Sequence, residues 1–282
     1  MIGPFATAAA FRQSLETRMA ASYGTARVQR ARKRVAVERL VVRLQEQRPS
    51  GFLVKGGFAL EMRLEGRFRT TRDLDVAADA EISTDTEDVT DELENACAID
   101  ARDGFEFRVA GRPEVSEPDE DSRTLRYSIE ARIAGRLFEQ VPVEVRAHDL
   151  IPAAADTFRG TNWLEIIGIE PPVIRIVPLD YHFADKIHAF TRPRKIPNSR
   201  VKDLIDMDVL IDLGLPEPDR LMTALEGVFA HRATHPLPAA LQAPPESWRK
   251  DYRSRASEIS GAVTDIDVSF EKAAAFFRSI RR

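Results

Sequence analysis

The segment GFLVKGGFALEMRLEGRFRTTRDLDVA, residues 51–77, combines an apolar strand, a glycine pair and two closely spaced aspartates. The predicted strand covers residues 52–54 and leads to Gly56 and Gly57, after which residues 58–64 have helical spacing. Glycines between a strand and a helix let backbone N–H groups approach a phosphate, because no Cβ stands in the way. A helix N-terminus also favours negative charge. This part of the segment predicts one half of a nucleotide site.

Asp73 and Asp75 predict the other half of the site. Their spacing is typical of a strand on which alternate side chains point to the same face of a sheet. Two carboxylates on one face can hold the same hard cation. Because a helix separates the glycines from the aspartates, we expect the two strands to be neighbours.

Length and composition limit the functions that the chain can have. A chain of 282 residues is long enough for two domains, and its 43% apolar content is typical of a globular protein. No segment has the roughly 18 consecutive apolar residues of a membrane helix, and the start lacks the features of a signal peptide. The single cysteine, Cys97, excludes an internal disulfide and a cysteine-based metal cluster. We therefore expect a cytoplasmic protein that does not bind membranes.

The net charge of −4 excludes a polycation, so any RNA contact must come from local patches. A predicted helix over residues 27–48 has eight basic and two acidic residues. Its basic side chains either cover apolar surface with their long stems or form a ridge for a phosphate backbone. A second basic patch lies in the loop TRPRKIPNSR, residues 191–200. The candidate RNA-binding residues are Arg30, Lys33, Arg34, Arg192, Arg194, Lys195 and Arg200.

Further elements follow the opening segment. Residues 79–98 predict an acidic helix, which is either a solvated face or a surface for a basic partner. A strand is predicted at 104–110, and the alternation of residues 123–133 and 136–146 predicts a hairpin. Glu144 in the second arm either faces solvent or supplies a third carboxylate next to the aspartates.

The second half of the chain is predicted to be helical. Residues 151–179 are irregular apart from an extended piece at 173–177, and the helices that follow cover 179–191, 199–213, 217–231 and 264–281. The prediction is an α+β fold: a mixed, largely antiparallel sheet flanked by helices in a domain of residues 1–177, and a helical domain of residues 178–282.

Three charged residues of these helices are candidates for the site. Lys186 lies at the edge of an apolar stripe, so it either extends outward to solvent or reaches into a cleft to hold a phosphate. Asp203 and Asp206 are one turn apart and share a helix face. They are either a polar pair in that cleft or partners of nearby basic residues, and their spacing does not decide which of them is functional.

Other catalytic motifs are absent from the sequence. HRATH, residues 231–235, has no glutamate after its first histidine, which argues against a zinc protease. Neither a serine nucleophile elbow nor a Walker-type phosphate loop is present.

Three motifs together resemble a known family. KGGFALEMRLEGRFRTTRDLDVA (55–77), DKIHAFTRP (185–193) and RVKDLIDM (200–207) occur in the order found in nucleotidyltransferase toxins of the AbiEii/AbiGii type. That family includes the MenT-type toxins and belongs to the polymerase-β-like nucleotidyltransferase superfamily. The resemblance therefore implies a polymerase-β-like core followed by a helical domain.

The resemblance assigns roles to individual residues. It makes Gly56 and Gly57 phosphate-approach positions, with Thr71 at the hydroxyl position before the aspartates. Catalytic roles fall to Asp73, Asp75, Glu144, Lys186 and Asp203, of which Asp73, Asp75 and, less specifically, Glu144 are the metal ligands. Lys186 contacts the triphosphate, and Asp206 is an alternative to Asp203. Lys55 and Arg69 accompany the first motif as further nucleotide contacts.

The resemblance also implies a function. Family members are toxins of toxin–antitoxin or phage-defence (abortive infection) pairs, and several use an NTP and Mg²⁺, with Mn²⁺ as a substitute, to modify tRNA acceptor ends and block translation. The expected partners are tRNA or another RNA acceptor and a cognate antitoxin. Two alternatives stay open: a small-molecule nucleotidyltransferase of the antibiotic-modifying type, and a nucleotide- or antitoxin-binding module without turnover.

Overall fold

The computed structural model describes residues 2–23, 25–64, 71, 73–82, 85–116, 124–193 and 200–281. The chain divides into two compact units. The first consists of the described residues of Met1–Arg63 and Thr70–Ile176, and the second contains the described residues from Val177 onward. Within the described residues, no helix is long and apolar enough to cross a membrane.

The first unit is built on one mixed sheet. Its described strands are β1 (Phe52–Lys55), β2 (Leu74–Ala78), β3 (Glu106–Ser116), β4 (Thr124–Ile133), β5 (Arg136–Arg146), β6 (Asp156–Arg159) and β7 (Val173–Ile176). They lie in the order β3-β4-β5-β2-β1-β7-β6. The β1–β7 and β2–β5 pairs are parallel and the other four pairs are antiparallel. The predicted largely antiparallel α+β fold is therefore confirmed.

The predicted hairpin is formed by β4 and β5. Ala134 and Gly135 both have positive φ angles, 53° and 69°, as a tight two-residue turn between twisted strands requires. Burial alternates along both strands, and Leu125, Tyr127 and Val143 are among the side chains directed into the core. The opposite face of the hairpin is left to polar side chains.

The described part of the first unit contains the helices α1 (Ala8–Tyr23), α2 (Thr25–Gln47), α3 (Gly56–Arg63) and α4 (Thr86–Ala98). The acidic helix α4 is shorter than predicted and begins after Asp85, whose side chain accepts a hydrogen bond from the Glu87 N–H. Arg48 donates to Glu92 of α4 over 2.6 Å. Part of this acidic surface therefore meets a basic partner within the chain.

The middle of helix α2 is buried, and two of its arginines, Arg39 and Arg43, lie in the core rather than on a solvated face. Arg43 is fully buried and donates two hydrogen bonds of 2.8 Å to the two carboxylate oxygens of Asp103. Arg39 donates to the same carboxylate over 2.6 Å. Burial raises the pKa of Asp103, but hydrogen bonding and charge from Arg43 outweigh it and hold the pKa below its usual value. These two arginines therefore anchor α2 to the core.

The second unit is helical, as predicted. It contains α5 (Leu179–Thr191), α6 (Val201–Asp212), α7 (Pro218–Arg232), α8 (Arg249–Ala256) and α9 (Ile266–Ser279). Helix α5 packs against α6 and α7, and α6 also packs against α8 and α9. The Asp265 side chain caps α9 by accepting from the Asp267 and Val268 N–H groups.

Several predicted elements differ from the observed ones. Strand β6 and a 3₁₀ helix at Trp163–Ile167 lie in the segment predicted to be irregular, and the short helix α8 lies between two predicted helices. Strand β3 extends to Ser116 through a register shift between Ala110 and Glu114. Strand β2 begins at Leu74, so Asp73 immediately precedes the strand rather than lying within it.

Candidate active site

The glycine pair brings the end of β1 into contact with Asp75. Gly56 is the first residue of α3 and has a φ of +61°, a conformation that L side chains rarely adopt. A Cβ at this position would lie 1.8 Å from Oδ2 of Asp75. Only glycine therefore allows the Asp75 carboxylate to lie against the N-terminal end of α3.

Gly57 permits a similar approach by Thr71. A Cβ on Gly57 would lie 2.5 Å from the Thr71 Oγ1 atom. The Thr71 N–H donates to Oε2 of Glu61 over 3.3 Å, which fixes the backbone ahead of the aspartates. The Thr71 hydroxyl is buried and has no hydrogen-bond partner among the described residues. It is thus a polar group directed at the glycine pair.

Four charged side chains form a row across the sheet. Lys55 of β1 lies opposite Asp75 of β2, Asp75 lies opposite Glu144 of β5, and Glu144 lies opposite Arg126 of β4. Residues directly opposite each other in adjacent strands point to the same face of the sheet. Lys55, Asp75, Glu144 and Arg126, the charged row, therefore share one face.

Arg126 is the direct partner of Glu144. Its Nε atom donates to Oε1 of Glu144 over 3.0 Å, and its Nη2 atom donates to the same oxygen. The hydrogen bond to Glu144 raises the pKa of Arg126, and the negative charges of Asp73 and Glu114 also contribute. Asp73 is therefore close enough to Arg126 to interact with it electrostatically.

The three predicted metal ligands have different surroundings. Asp73 and Asp75 flank the first residue of β2, whereas Glu144 is bound by Arg126. In the part of the chain that the structure describes, no three His, Cys, Asp or Glu side chains are grouped to hold a metal ion. Carboxylates are suitable ligands for Mg²⁺, and the lack of a Cβ at Gly56 gives the Asp75 carboxylate room. The donor chemistry of Asp73 and Asp75 therefore fits such an ion, while Glu144 is engaged elsewhere.

Lys55 is tied to a buried carboxylate. Its Nζ atom forms an ion pair with Oδ2 of Asp149, whose side chain is 3% exposed. The Asp149 N–H donates to the Ala78 carbonyl at the end of β2 over 2.9 Å. Lys55 thus links β1 to the segment that follows β5.

Basic residues of α2 lie beside Asp73. A small pocket is lined by Asp73, Thr71, Glu61, Phe58 and Val37 together with Arg30, Lys33 and Arg34. Arg30 interacts with Glu61 over 3.4 Å, and Arg34 donates to Glu38 over 2.9 Å. Three of the predicted RNA-binding residues are therefore placed next to the predicted catalytic aspartate.

The predicted residues of the second unit form a cluster of their own. Lys186 Nζ on α5 is 2.7 Å from Oδ2 of Asp206 and 3.1 Å from Oδ1 of Asp203 on α6. Burial lowers the pKa of Lys186, but the charges of Asp206 and Asp203 outweigh it, so the pKa is raised and the lysine stays charged. Arg200 lies 3.7 Å from Asp203. Both aspartates contact the lysine, so the geometry does not single out one of them.

The remaining predicted residues fall outside these groups. Arg69, Arg194 and Lys195 lie outside the described residues. Arg192 caps the C-terminal end of α5 and lines a cavity of about 360 Å³ with Phe190 and Trp248.

Sequence reasoning missed three polar residues near the predicted site. Arg126, Asp149 and Glu61 contact Glu144, Lys55 and Arg30, respectively. The alternation of the hairpin arms indicated that Arg126 and Glu144 face away from the core, and their pairing then depends on the register. No comparable signal in the sequence links Asp149 to Lys55.

Comparisons with known proteins identify relatives of the chain. The model of a family described as nucleotidyl transferase AbiEii toxin of type IV toxin–antitoxin systems matches residues 39–276. Among solved structures, the chain resembles MenT4, a nucleotidyltransferase toxin from Mycobacterium tuberculosis H37Rv, with a TM-score of 0.54 and 20% identity. The alignment covers 94% of this chain and 98% of MenT4. At this identity, the similarity shows a shared fold.

Two other solved structures are more distant. An antigenic nucleotidyltransferase-like protein from Paracoccidioides brasiliensis has a TM-score of 0.38 and 17% identity, over 70% of this chain and 89% of that protein. The antibiotic-resistance factor ANT(2'')-Ia has a TM-score of 0.34 and 15% identity, over 71% of this chain and 92% of that protein. Such scores are too low to compare details. No curated protein matches the chain significantly.

The family match decides the class of the protein. It extends from within α2 to within α9 and so includes both units and all three sequence motifs. Membership implies nucleotidyltransferase activity and a cognate antitoxin. The chain belongs to the AbiEii nucleotidyl transferase toxin family of type IV toxin–antitoxin systems.

Proposed function

We propose that this toxin transfers a nucleoside monophosphate from an NTP to an RNA hydroxyl, with the 3′ end of tRNA as the first candidate, and so blocks translation. The observation that carries the proposal is the contact between the Asp75 carboxylate and the glycine pair, beside Thr71 and Glu144. It combines a phosphate-accessible backbone with carboxylates suited to a divalent cation.

The proposed reaction is an in-line displacement at the α-phosphorus of the NTP. The acceptor hydroxyl oxygen forms a bond to that phosphorus while the bond to the bridging oxygen of the β-phosphate breaks. Pyrophosphate leaves with the bonding electron pair, and the hydroxyl proton passes to a carboxylate base. When bound, Mg²⁺ stabilises the negative charge that develops on the phosphate oxygens.

The residues of the first unit have defined roles in this proposal. Asp73 and Asp75 hold the metal ion, and Glu144 assists by accepting the hydroxyl proton. The Gly56 and Gly57 backbone binds phosphate, and the unpartnered Thr71 hydroxyl donates a hydrogen bond to it. Lys55, held by Asp149, contributes positive charge at the end of β1.

In the second unit, we assign Lys186 to the β- and γ-phosphates. Asp203 and Asp206 orient its ammonium group, and their charges keep it protonated. A lysine that stays charged and is oriented by two carboxylates is suited to bind a polyphosphate.

The basic residues of α2 indicate the chemical class of the acceptor. Arg30, Lys33 and Arg34 lie around Asp73, where a nucleic-acid phosphate can be neutralised close to the proposed reaction centre. This placement favours RNA over an uncharged small molecule as the acceptor.

The proposal is tested by incubating purified toxin with each α-³²P-labelled NTP, MgCl₂ and total tRNA. We expect label on tRNA with the wild type, and a loss of at least about 100-fold for Asp73→Asn, since removing a charge-stabilising group can cost that much. Asp91→Asn, an exposed substitution on the acidic helix, is the matched control and keeps full activity.

The other outcomes separate the rival functions. Label on a small-molecule acceptor, with none on RNA, would indicate an antibiotic-type transferase. Binding of NTP without release of pyrophosphate for any acceptor would indicate a module that lacks turnover. A chelator such as EDTA is expected to abolish labelling, and Mn²⁺ to restore it; labelling in excess EDTA would refute the metal-dependent mechanism.

A further inference from the structure

We propose that Arg126 is a positioning residue that orients the Glu144 carboxylate for proton transfer. This inference rests on the proposed function, because it assigns Glu144 as the acceptor of the hydroxyl proton. Arg126 itself need not touch the nucleotide or the metal ion.

The hydrogen bonds between the two residues leave one oxygen available. Nε and Nη2 of Arg126 both donate to Oε1 of Glu144. The described residues donate no hydrogen bond to Oε2 of the same carboxylate. A guanidinium group is planar and rigid, so its two bonds hold Oε1 in place. Oε2 is therefore the oxygen left to accept a proton.

The sheet register fixes where Glu144 lies. Glu144 has Asp75 opposite it on one side and Arg126 on the other. Without Arg126, Glu144 would adjoin Asp75 and Asp73 with no described cation beside it on β4, and like charges on neighbouring strands repel each other. Arg126 offsets this repulsion, and the charge of Asp73 in turn acts on Arg126. Arg126 thus keeps the Glu144 carboxylate close to Asp75 on the shared face of the sheet.

The same sheet contains a pair that serves as a control. Arg108 of β3 lies opposite Glu130 of β4, and its Nε atom donates to Oε2 of Glu130 over 2.8 Å. This pair also connects adjacent strands, but β2 pairs with neither β3 nor β4. Glu130 accepts a second hydrogen bond, from Arg132 over 2.7 Å. If Arg126 served only to join two strands, replacing Arg108 and replacing Arg126 would have the same effect on kcat.

The experiment is a double-mutant cycle with Arg126→Gln, Glu144→Gln and their combination. We expect Arg126→Gln to lower the kcat of nucleotide transfer about 10- to 100-fold, the range found for residues that orient a reacting group. The KM for NTP should change little. Arg126→Lys should recover part of the activity, and Arg126→Gln should have no further effect in the Glu144→Gln background.

A second readout does not depend on catalysis. Urea unfolding of the same four proteins, without nucleotide or metal, should show that Arg126→Gln shifts the midpoint less when Glu144 is already replaced. Arg108→Gln leaves Glu130 bound to Arg132, so it should shift the midpoint by no more than Arg126→Gln and leave kcat unchanged.

The outcomes distinguish this inference from the proposed function. If the wild type does not transfer nucleotide, the proposed function itself is wrong. If the wild type transfers nucleotide, then equal effects of Arg126→Gln in both Glu144 backgrounds, or equal losses in kcat for Arg108→Gln and Arg126→Gln, overturn the positioning role.

Discussion

At the scale of single residues, Gly56 is the position that tolerates a side chain least. It combines a positive φ angle with the Asp75 carboxylate at the place where a Cβ would stand. Gly111 also has a positive φ, +73°, but no atom lies within 4 Å of its missing Cβ. Comparing substitutions at the two glycines therefore separates the cost of backbone strain from the cost of a steric clash.

We predict that Gly56→Ala destabilises the protein by more than Gly111→Ala. Backbone strain alone costs about 1–2 kcal/mol for an L residue in the left-handed region, and only Gly56→Ala must also displace Asp75. Nucleotide transfer should be lost in Gly56→Ala and retained in Gly111→Ala. Urea unfolding and the labelling assay measure the two effects, and equal effects at both positions would contradict the role given to the Asp75 contact.

At the scale of elements, helix α6 contacts α5 and α9 through two separate pairs of aspartates. Asp203 and Asp206 contact Lys186 of α5, while Asp208 and Asp212 contact Lys272 of α9. Asp206 is fully buried. Removing the lysine takes a close ion-pair partner away from a buried carboxylate, which is strongly destabilising.

We predict that Lys186→Met lowers the free energy of unfolding by about 3–5 kcal/mol, as expected for breaking a buried ion pair. Arg255→Met is the control, and it should cost less because the ion pair of Arg255 with Asp251 is exposed, with 39% and 47% of the side chains accessible. Chemical denaturation measures both values. A Lys186→Met protein as stable as the wild type would show that Asp203 and Asp206 do not need the lysine.

This prediction affects how activity tests of Lys186 are interpreted. Loss of transfer in Lys186→Met can result from unfolding as well as from loss of a phosphate contact. Lys186→Arg retains the charge, so its stability is expected to be closer to that of the wild type, and its kcat and KM report more directly on nucleotide binding.

The elements also show what periodicity can predict. Long segments with strong patterns, such as the β4–β5 hairpin and helix α5, were located from alternation and helical spacing. Strand β6 has only four residues, too few for alternation to distinguish it from a loop. Helix α8 is mostly polar and charged, and only Tyr252 and Ala256 are buried, so its apolar face is too small to give a clear period.

At the scale of the whole molecule, pH dependence is expected from two histidines of the second unit. His188 is buried, and its Nε2 atom is 2.8 Å from the Thr234 hydroxyl. Burial, followed by the charge of Arg232, lowers the pKa of His188 to about 3. The pKa of nearby His235 is also lowered, first by burial and then by the charge of Arg192.

We predict that His188 makes the protein less stable as the pH falls below about 6.5, the ordinary histidine value. Between that pH and the folded-state pKa, the unfolded chain binds the proton and the folded chain does not, so stability decreases by up to about 1.4 kcal/mol per pH unit. His188→Gln should flatten this slope, while the exposed His231→Gln should not. Urea unfolding from pH 7 to pH 5 measures the slope, and unchanged slopes in both variants would contradict the prediction.

The site could be predicted from the sequence only where its residues are close together in the chain. Gly56 and Asp75 belong to one motif, and their contact follows from two strands joined by a short helix. Glu144 is opposite Asp75 through a parallel pairing, and neither strand indicates its partner in the sequence. The pairing of Arg126 with Glu144 depends in addition on a hairpin register that includes a shift between Ala131 and Arg132.

The parallel pairing of β2 with β5 has a consequence for the synthesis of this toxin. Asp75 emerges from the ribosome long before Glu144, and β1 is flanked by β7 only after Ile176 has been made. Contacts between distant segments also form late in folding. A nascent or prematurely terminated chain that lacks β5 therefore has the aspartates and Arg126 but not Glu144. We expect the toxin to become active in the cell that synthesises it only after more than half of its chain has been made.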